Sequence, residues 1–203
     1  MRRQVPAIVA SLAVIGAVIA VIVVAWIPLP EFAPPSPGTM AGSIALVDQD
    51  NCIQVTDLGR ATTDQIWCEP ARGWIDQIAW SEEGIEMTTY LNQRTTRVLD
   101  PDTGELLETR TGNDVEPPPP VESLVVDRPD SSELVVYDET GDELITLTAP
   151  ESYWIEVALP SPDGRLVAIA DSAGRLAVFA RDDQVPVLVA EDVRPWPYPV
   201  WRP

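Results

Sequence analysis

The chain has 203 residues, a formal charge of −19 and neither histidine nor lysine, so that its thirteen basic residues are all arginine. These absences exclude Ser-His-Asp and Cys-His catalysis, histidine-ligated zinc or haem, and Schiff-base or P-loop lysine chemistry. All 32 acidic residues lie from Glu31 onward, and a surface this acidic argues against nucleic acid as a partner.

The N-terminal part of the chain is apolar. Residues 5–29 read VPAIVASLAVIGAVIAVIVVAWIPL, with Ser11 as the only polar side chain. About twenty residues at a helical rise of about 1.5 Å cross the ~30 Å hydrocarbon core of a bilayer. Arginines precede this segment and a glutamate follows it, which places the N-terminus in the cytoplasm. The sequence therefore predicts a cytoplasmic tail over residues 1–5 and a transmembrane helix, acting as a signal anchor, over residues 6–27.

A cleaved signal peptide is the alternative for this segment. Val23 and Ala25 satisfy a small-residue cleavage rule, but the apolar run exceeds the usual length of about 7–15 residues. We expect an uncleaved anchor and an extracytoplasmic location for the rest of the chain. Residues 28–42 hold five prolines and little that packs. They are predicted to form a stiff, extended linker.

Residues 43–203 have the pattern of an all-β domain with an internal repeat. Short alternating apolar runs are separated by Asp, Gly and Pro turns. RPDSSELVVYDETGDELI (128–145) superposes on SPDGRLVAIADSAGRLAVF (161–179), and GWIDQIAWSEEG (73–84) superposes on YWIEVALPSPDG (153–164). The turns recur about every 41 residues, which with four short strands per unit is the period of a β-propeller blade.

These units carry a resemblance to a known family. The SPDGRLVAIADSAGRLAVF stretch resembles the blade motif of WD40-like and TolB-like propellers, in which the innermost strand ends in a W-S-P-D-G-type turn. The LDPDTGELL run (99–107) resembles the turn between the two outer strands of many propellers. The resemblance covers nearly all of residues 43–203. It implies a propeller architecture and no shared chemistry, and the four turn intervals of this sequence indicate a small propeller of four blades.

The ends of the domain suggest how such a ring closes. In this frame the domain begins with the second strand of a blade and finishes with an innermost strand over residues 197–201. The last strand is therefore predicted to complete the first blade and to close the ring, which removes exposed sheet edges. The alternative is a homodimer in which two tethered copies share one eight-bladed ring.

The positions of the two cysteines agree with the predicted strand order of the first blade. Cys52 begins the third strand of the first blade and Cys68 ends its fourth, so antiparallel pairing brings them together. An extracytoplasmic location is oxidising, and we therefore expect a disulfide. Two free, buried thiols are the alternative.

Five aromatic residues form the candidate binding face. Such side chains at the entries to the innermost strands are suited to an interaction surface for a protein, peptide or glycan. They also commonly pack between neighbouring blades. The candidates are Trp74, Tyr153, Trp154, Trp196 and Tyr198.

Acidic residues gather in the turns of the same face. Asp48, Asp138 and Asp171 are weak candidates for Ca²⁺ ligands, since calcium prefers carboxylate oxygens. Asp is also a standard turn residue, and no D-x-[DN]-x-[DN]-G loop is present. We expect no cofactor and no metal.

The sequence favours a non-catalytic function. The expected protein is a single-pass membrane protein whose extracytoplasmic propeller binds another envelope or extracellular protein as a scaffold module. Two alternatives stay open: a ligand-sensing or substrate-presenting accessory domain of a membrane system, and a glycan hydrolase using two carboxylates. No pair of carboxylates is singled out by the sequence.

Overall fold

The computed structural model describes residues 28–38, 40–69, 73–90, 93–112 and 122–203, without the side chains of residues 183 and 184. Throughout these ranges the chain is all-β, and they contain no helix long and apolar enough to cross a membrane. The predicted cytoplasmic tail (1–5) and transmembrane helix (6–27) lie outside the described residues.

The described residues form short strands joined mostly by tight turns. Their burial differs: the strand Leu166–Asp171 is buried along its whole length, whereas the strands Thr62–Cys68 and Leu106–Thr111 are mostly exposed. The strands are β1 (Ser43–Val47), β2 (Cys52–Asp57), β3 (Thr62–Cys68), β4 (Trp74–Trp80), β5 (Ile85–Tyr90), β6 (Arg94–Leu99), β7 (Leu106–Thr111), β8 (Val125–Asp130), β9 (Glu133–Tyr137), β10 (Glu143–Thr148), β11 (Ile155–Pro160), β12 (Leu166–Asp171), β13 (Leu176–Ala180), β14 (Asp183–Ala190) and β15 (Val200–Trp201).

The strands pair into four antiparallel sheets, which we call blades. Blade 1 has the order β15-β1-β2-β3, blade 2 is β4-β5-β6-β7, and blade 4 is β11-β12-β13-β14. Blade 3 has only three strands in the part of the chain described, in the order β10-β9-β8. The expectation of four strands in every unit is therefore wrong for blade 3. Its β10 ends at Thr148 and β11 begins at Ile155, which leaves no room for an outer strand.

The last strand completes the first blade, as predicted. Trp201 is paired with Ile44 and Val200 with Ala45, and the amide of Arg202 donates to the carbonyl of Ser43 at 2.9 Å. β15 therefore supplies the innermost strand that β1 lacks from its own part of the chain.

Apolar clusters join neighbouring blades in three places. One contains Val47 of blade 1 and Met87 of blade 2, and a second contains Leu46 of blade 1 and Leu159 of blade 4. The third joins blades 3 and 4, with Phe179 fully buried. Across the ranges that the structure describes, no such cluster joins blades 2 and 3. Closure of the ring at that junction stays a prediction.

The repeat is visible in one turn that recurs after the second strand of blades 1, 3 and 4. In each copy an aspartate amide donates to the carbonyl four residues later, and the third residue after the aspartate adopts a left-handed conformation. Asn51 (φ 66°), Gly141 (φ 88°) and Gly174 (φ 77°) take that position. Asn and Gly tolerate it best, so the repeat register predicted from the sequence is confirmed at these turns.

Part of the linker packs on the blades. The backbone of Ala33 bonds Pro186 and Leu188 of β14, each at 2.8 Å. Phe32 packs on the cluster between blades 3 and 4, with the guanidinium carbon of Arg175 4.4 Å from its ring centre. The prediction of a spacer with little that packs therefore does not describe these residues. Sequence spacing alone gave no partner for Phe32.

The predicted disulfide between Cys52 and Cys68 is confirmed. The two residues are direct cross-strand partners at the end of the β2–β3 pairing. A bridge across 16 positions of sequence stabilises the fold by about 3 kcal/mol in the chain-entropy model. It fastens the outer strand of blade 1.

Candidate functional site

Tyr153 belongs to the core, which corrects its place among the surface candidates. Its side chain is 2% exposed, and its hydroxyl donates to a carboxylate oxygen of Asp171 at 2.9 Å. Burial, together with that carboxylate, raises the pKa of the Tyr153 phenol above its ordinary value. The tyrosine belongs to the apolar cluster between blades 3 and 4 and presents nothing to a partner.

Trp74 and Trp154 are exposed, but each has one ring face covered by an arginine. The guanidinium carbon of Arg194 lies 4.5 Å from the ring centre of Trp74, and that of Arg128 lies 4.9 Å from Trp154. Hydrogen bonds fix both arginines: Arg194 donates to the side-chain oxygen of Asn51 at 2.7 Å, and Arg128 donates to the carbonyls of Pro150 and Tyr153. These two tryptophans already hold a cation from the chain itself.

Trp196 and Tyr198 form a pair at the entry to β15. Their rings meet edge to face, with centres 5.0 Å apart and planes at 76°. Trp196 follows the blade 4 sheet and is joined to Pro197 by a cis peptide bond. Trp196 remains 53% exposed. Both rings line the cavity described next.

A cavity of about 710 Å³, which we call the central cavity, lies along the innermost strands of the blades. Its walls come from β4 of blade 2, the end of β11 of blade 4, β15 of blade 1, and Glu122, shortly before β8 of blade 3. Four aromatic residues contribute to it: Trp80, Trp196, Tyr198 and Trp201. The volume lies within the range of small-ligand pockets, about 300–1,000 Å³.

Two of these indoles are fixed by hydrogen bonds that cross between blades. The ring N–H of Trp80 in blade 2 donates to the carbonyl of Val200 in blade 1 at 3.0 Å. The ring N–H of Trp201 in blade 1 donates to the carbonyl of Leu159 in blade 4, also at 3.0 Å. The rings are held in place, and their N–H groups are used within the protein.

Two carboxylates share the central cavity. Asp76 is half-buried on β4 and Glu122 is exposed. Burial raises the pKa of the Asp76 carboxyl, and the positive charges of Arg194 and Arg94 partly oppose that shift. A carboxylate that has lost water in this way is stabilised when a cation or hydrogen-bond donor arrives.

A second cavity of about 640 Å³, which we call the side cavity, shares Trp80 and Pro203 with the central cavity. Four acidic residues line it: Glu82, Glu83, Asp100 and Asp102. Hydrogen bonds from the backbone and hydroxyl of Thr103 hold the pKa of Asp100 below its ordinary value, so this carboxyl is ionised at neutral pH. Arg202 is the one basic residue lining either cavity among the described residues.

The three weak calcium candidates are engaged in turns of their own. Asp48 accepts from the amide of Cys52 and the side chain of Gln54, and Asp138 accepts from its own turn. Asp171 pairs with Arg175 and is fully buried. Within the described ranges no three acidic or cysteine side chains are grouped as a metal ion would require. Each aspartate acts as a turn residue.

Sequence reasoning missed Trp80, Trp201 and Asp76. A signal for the two tryptophans was present, because the alignments that superpose the blades place both at the position of Pro160, where an innermost strand ends. Equivalent positions on innermost strands meet around one axis in a propeller. Nothing in the sequence singled out Asp76 among the acidic residues.

Comparisons with known proteins give a weak structural likeness. No protein-family model matches the sequence, and no curated protein matches it. Among similar solved structures, a chain of the mitotic checkpoint complex has 13% identity and a TM-score of 0.32, covering 78% of this chain and 53% of that one.

Two further structures are similar to the same extent. The computationally designed Ika8 protein has 17% identity and a TM-score of 0.29, with 77% of this chain and 47% of that one covered. BamB from Moraxella catarrhalis has 13% identity and a TM-score of 0.26, with 82% of this chain and 53% of that one covered. The chain spans about half the length of these structures. At such TM-scores the likeness carries no conclusion about activity or partners.

Proposed function

We propose that this chain is a non-catalytic protein-binding module, a WD40-like or TolB-like propeller held at the outer side of a membrane by residues 6–27. The observation that carries the binding function is the aromatic, acidic central cavity along the innermost strands. Aromatic residues are enriched in interface hot spots because they bury large areas with little loss of conformational freedom.

The absence of histidine and lysine from the whole sequence supports a role in contact rather than chemistry. The bonded indoles of Trp80 and Trp201 make the cavity preformed, which lowers the entropic cost of binding. Membrane anchoring rests on the apolar sequence of residues 5–29.

The binding function is tested by photo-crosslinking from the cavity. A photoreactive phenylalanine derivative replaces Trp196 in the full-length chain expressed in its own membrane. The same derivative at Trp154, which is similarly exposed at 48%, is the matched control. We expect a protein adduct from position 196 that is absent from position 154. Equal adducts from both positions would contradict a cavity-centred interaction.

The anchor is tested separately by alkaline extraction and protease protection. A spanning, uncleaved anchor leaves the full-length chain in the membrane pellet at high pH and exposes the domain to protease only from the outer side. A shortened chain in the soluble fraction would instead show cleavage after the apolar segment.

Ring closure is part of the same proposal. We propose that one chain forms its own ring of four blades, because β15 already completes blade 1 within the chain. Light scattering on the purified full-length chain, corrected for detergent, is expected to give the mass of one copy. The mass of two copies would support the shared eight-bladed ring.

A glycan hydrolase is a second candidate, favoured by one observation. Asp76 and Glu122 line the same aromatic cavity, and burial raises the pKa of Asp76, as a general acid requires. Release of reducing sugar from envelope polysaccharides, abolished by Asp76→Asn, would establish this activity. We expect no such release.

A further inference from the structure

The proline-rich part of the central cavity offers few hydrogen-bond donors. Four prolines line it, Pro160, Pro162, Pro197 and Pro203, and proline has no backbone N–H. The ring N–H groups of Trp80 and Trp201 already donate to backbone carbonyls. A ligand that needs donors, such as an anion or a phosphate, would find few in this part of the cavity.

Two hydroxyls line the cavity, those of Ser161 and Tyr198, and the hydroxyl of Ser161 is engaged. Ser161 is buried; its hydroxyl donates to Asp163 at 2.7 Å and accepts from the amide of Leu166 at 2.9 Å. Sugar recognition generally needs a balanced set of donors and acceptors beside an aromatic face. The remaining side-chain donors of the cavity are those of Gln77, Trp196 and Tyr198, and they stand beside two carboxylates.

The same cavity is rich in acceptors and negative charge. Asp76 and Glu122 lie in its wall, and the side cavity adds four acidic residues and one arginine, Arg202, beside Trp80. From residue 31 onward, eleven arginines stand against 32 acidic residues, so the surrounding field is also negative. Such a field attracts cations and accelerates their association.

The aromatic rings of this protein bind guanidinium groups repeatedly. Arginines lie over Trp74, Trp154 and Trp80, at 4.5, 4.9 and 5.3 Å from the ring centres. Across the described residues no arginine lies over Trp196 or Tyr198. Trp196, which is 53% exposed at the cavity, therefore has ring surface available to a cation from outside.

We propose that the central cavity binds an arginine side chain from an extended, basic segment of a partner protein. The guanidinium stacks on the Trp196–Tyr198 pair and donates to Asp76 and Glu122. Further basic residues of the segment contact the acidic side cavity. This inference rests on the proposed binding function and specifies the chemistry of its partner.

Arginine fits this site better than lysine does. Its planar guanidinium stacks on aromatic faces and carries five donors, whereas an ammonium group is compact and strongly hydrated. The cavity has an aromatic surface at Trp196 for the stacking and carboxylate acceptors at Asp76 and Glu122 for the donors. We therefore expect arginine peptides to bind more tightly than lysine peptides of equal charge.

The test is a titration of the full-length chain in detergent micelles with synthetic peptides, followed by tryptophan fluorescence and calorimetry. The probes are hexapeptides of arginine, lysine, citrulline and glutamate. Citrulline keeps the shape of arginine but has no charge. We expect saturable binding of the arginine peptide, at least threefold weaker binding of the lysine peptide, and no binding of the other two.

Matched variants locate the site. Glu122→Gln together with Asp76→Asn is expected to weaken binding of the arginine peptide at least tenfold, and Trp196→Ala at least fivefold. Glu151→Gln, another exposed glutamate, and Trp154→Ala, a similarly exposed tryptophan, are expected to change it less than twofold. Equal losses from the control variants, or binding of the citrulline peptide as tight as that of arginine, would overturn the proposal.

Circular dichroism and thermal melting of each variant separate loss of binding from loss of fold. If Asp76→Asn fails to fold, Glu122→Gln alone is used to test binding, because Glu122 is exposed. If the position-196 crosslink captures a protein but the arginine peptide neither binds nor competes, this inference fails and the proposed binding function stands. If neither occurs, both fail.

Discussion

Blades 3 and 4 contain the same turn, 33 residues apart, in two different surroundings. Asp138 and Asp171 each accept two backbone N–H bonds from their own turn, at 2.8 and 2.9 Å for Asp138 and at 3.0 and 2.9 Å for Asp171. The position four residues later is Asp142 in blade 3 and Arg175 in blade 4.

That one difference changes what the turn does. In blade 4 the second oxygen of Asp171 accepts from Arg175 and Tyr153, and the carboxylate is fully buried. In blade 3 Asp138 is half-buried and bonds only neighbours in its own turn among the described residues. The local sequence therefore specifies the turn, whereas the residue four positions after the aspartate decides whether the carboxylate also bonds a residue outside the turn.

The largest expected difference in stability between the two blades comes from substituting the equivalent aspartates, Asp171 and Asp138. Asp171→Ala leaves Arg175 without its buried partner, and we expect a loss of about 3–5 kcal/mol in the free energy of unfolding. Asp138→Ala removes only turn bonds at the surface, and we expect a small fraction of that loss. Urea denaturation of both variants measures the difference. Equal losses would show that the turn, and not the pair, carries the stability.

A second comparison uses the glycines of the same turns. Gly141 and Gly174 both have positive φ, so an alanine at either position is strained by about 1 kcal/mol. An added Cβ at Gly174 would also lie 3.2 Å from the carbonyl oxygen of Val193, whereas Gly141 has open space. We expect Gly174→Ala to cost about twice as much as Gly141→Ala in thermal or urea unfolding. A larger cost at Gly141 would contradict the packing assigned to blade 4.

The linker contact gives a third comparison. Phe32 covers the junction of blades 3 and 4 beside Arg175, and we expect Phe32→Ala to destabilise the fold by about 1–2 kcal/mol through lost apolar burial. Limited proteolysis should then cut residues 29–42 faster. Leu29→Ala, at a residue that is 45% exposed in the same segment, is the control and should leave the cutting rate nearly unchanged.

The smallest expected effect is on the pH dependence of the melting temperature. Asp130 in blade 3 and Asp163 in blade 4 are equivalent, and hydrogen bonds hold the pKa of both carboxyls below the ordinary value. A lowered pKa stabilises the fold above the unfolded pKa of about 4, and this contribution is lost as pH falls through the folded value. We expect Asp130→Asn and Asp163→Asn each to flatten the decline of the melting temperature between pH 4 and pH 2. An unchanged slope in both variants would contradict these shifts.

The sequence predicted those parts of the fold that depend on local turn chemistry and on register. The Asp and Gly positions of the repeat, the pairing of the last strand with β1, and the Cys52–Cys68 bridge were all readable in this way. The prediction of a fourth strand in blade 3 was wrong, although the short repeat interval there already left too few residues for an outer strand.

The parts that could not be predicted depend on contacts between distant residues. Position at the entry to a strand does not distinguish Tyr153, which turns into the core, from Trp154, which stays exposed. Phe32 meets Arg175 only because the linker folds back on β14. The central cavity likewise needs the ends of three different strands to meet, and a single sequence does not show which acidic residue lies beside them.

The pairing of β15 with β1 has a consequence for the order of folding. Blades 2, 3 and 4 are each built from consecutive strands, whereas blade 1 joins Ile44 to Trp201 across most of the chain. Contacts of such high sequence separation carry a larger loop-closure cost and form late. During synthesis β1 therefore keeps an unpaired inner edge until residues 200–201 emerge, and a ribosome that stalls before them leaves that edge open to other chains.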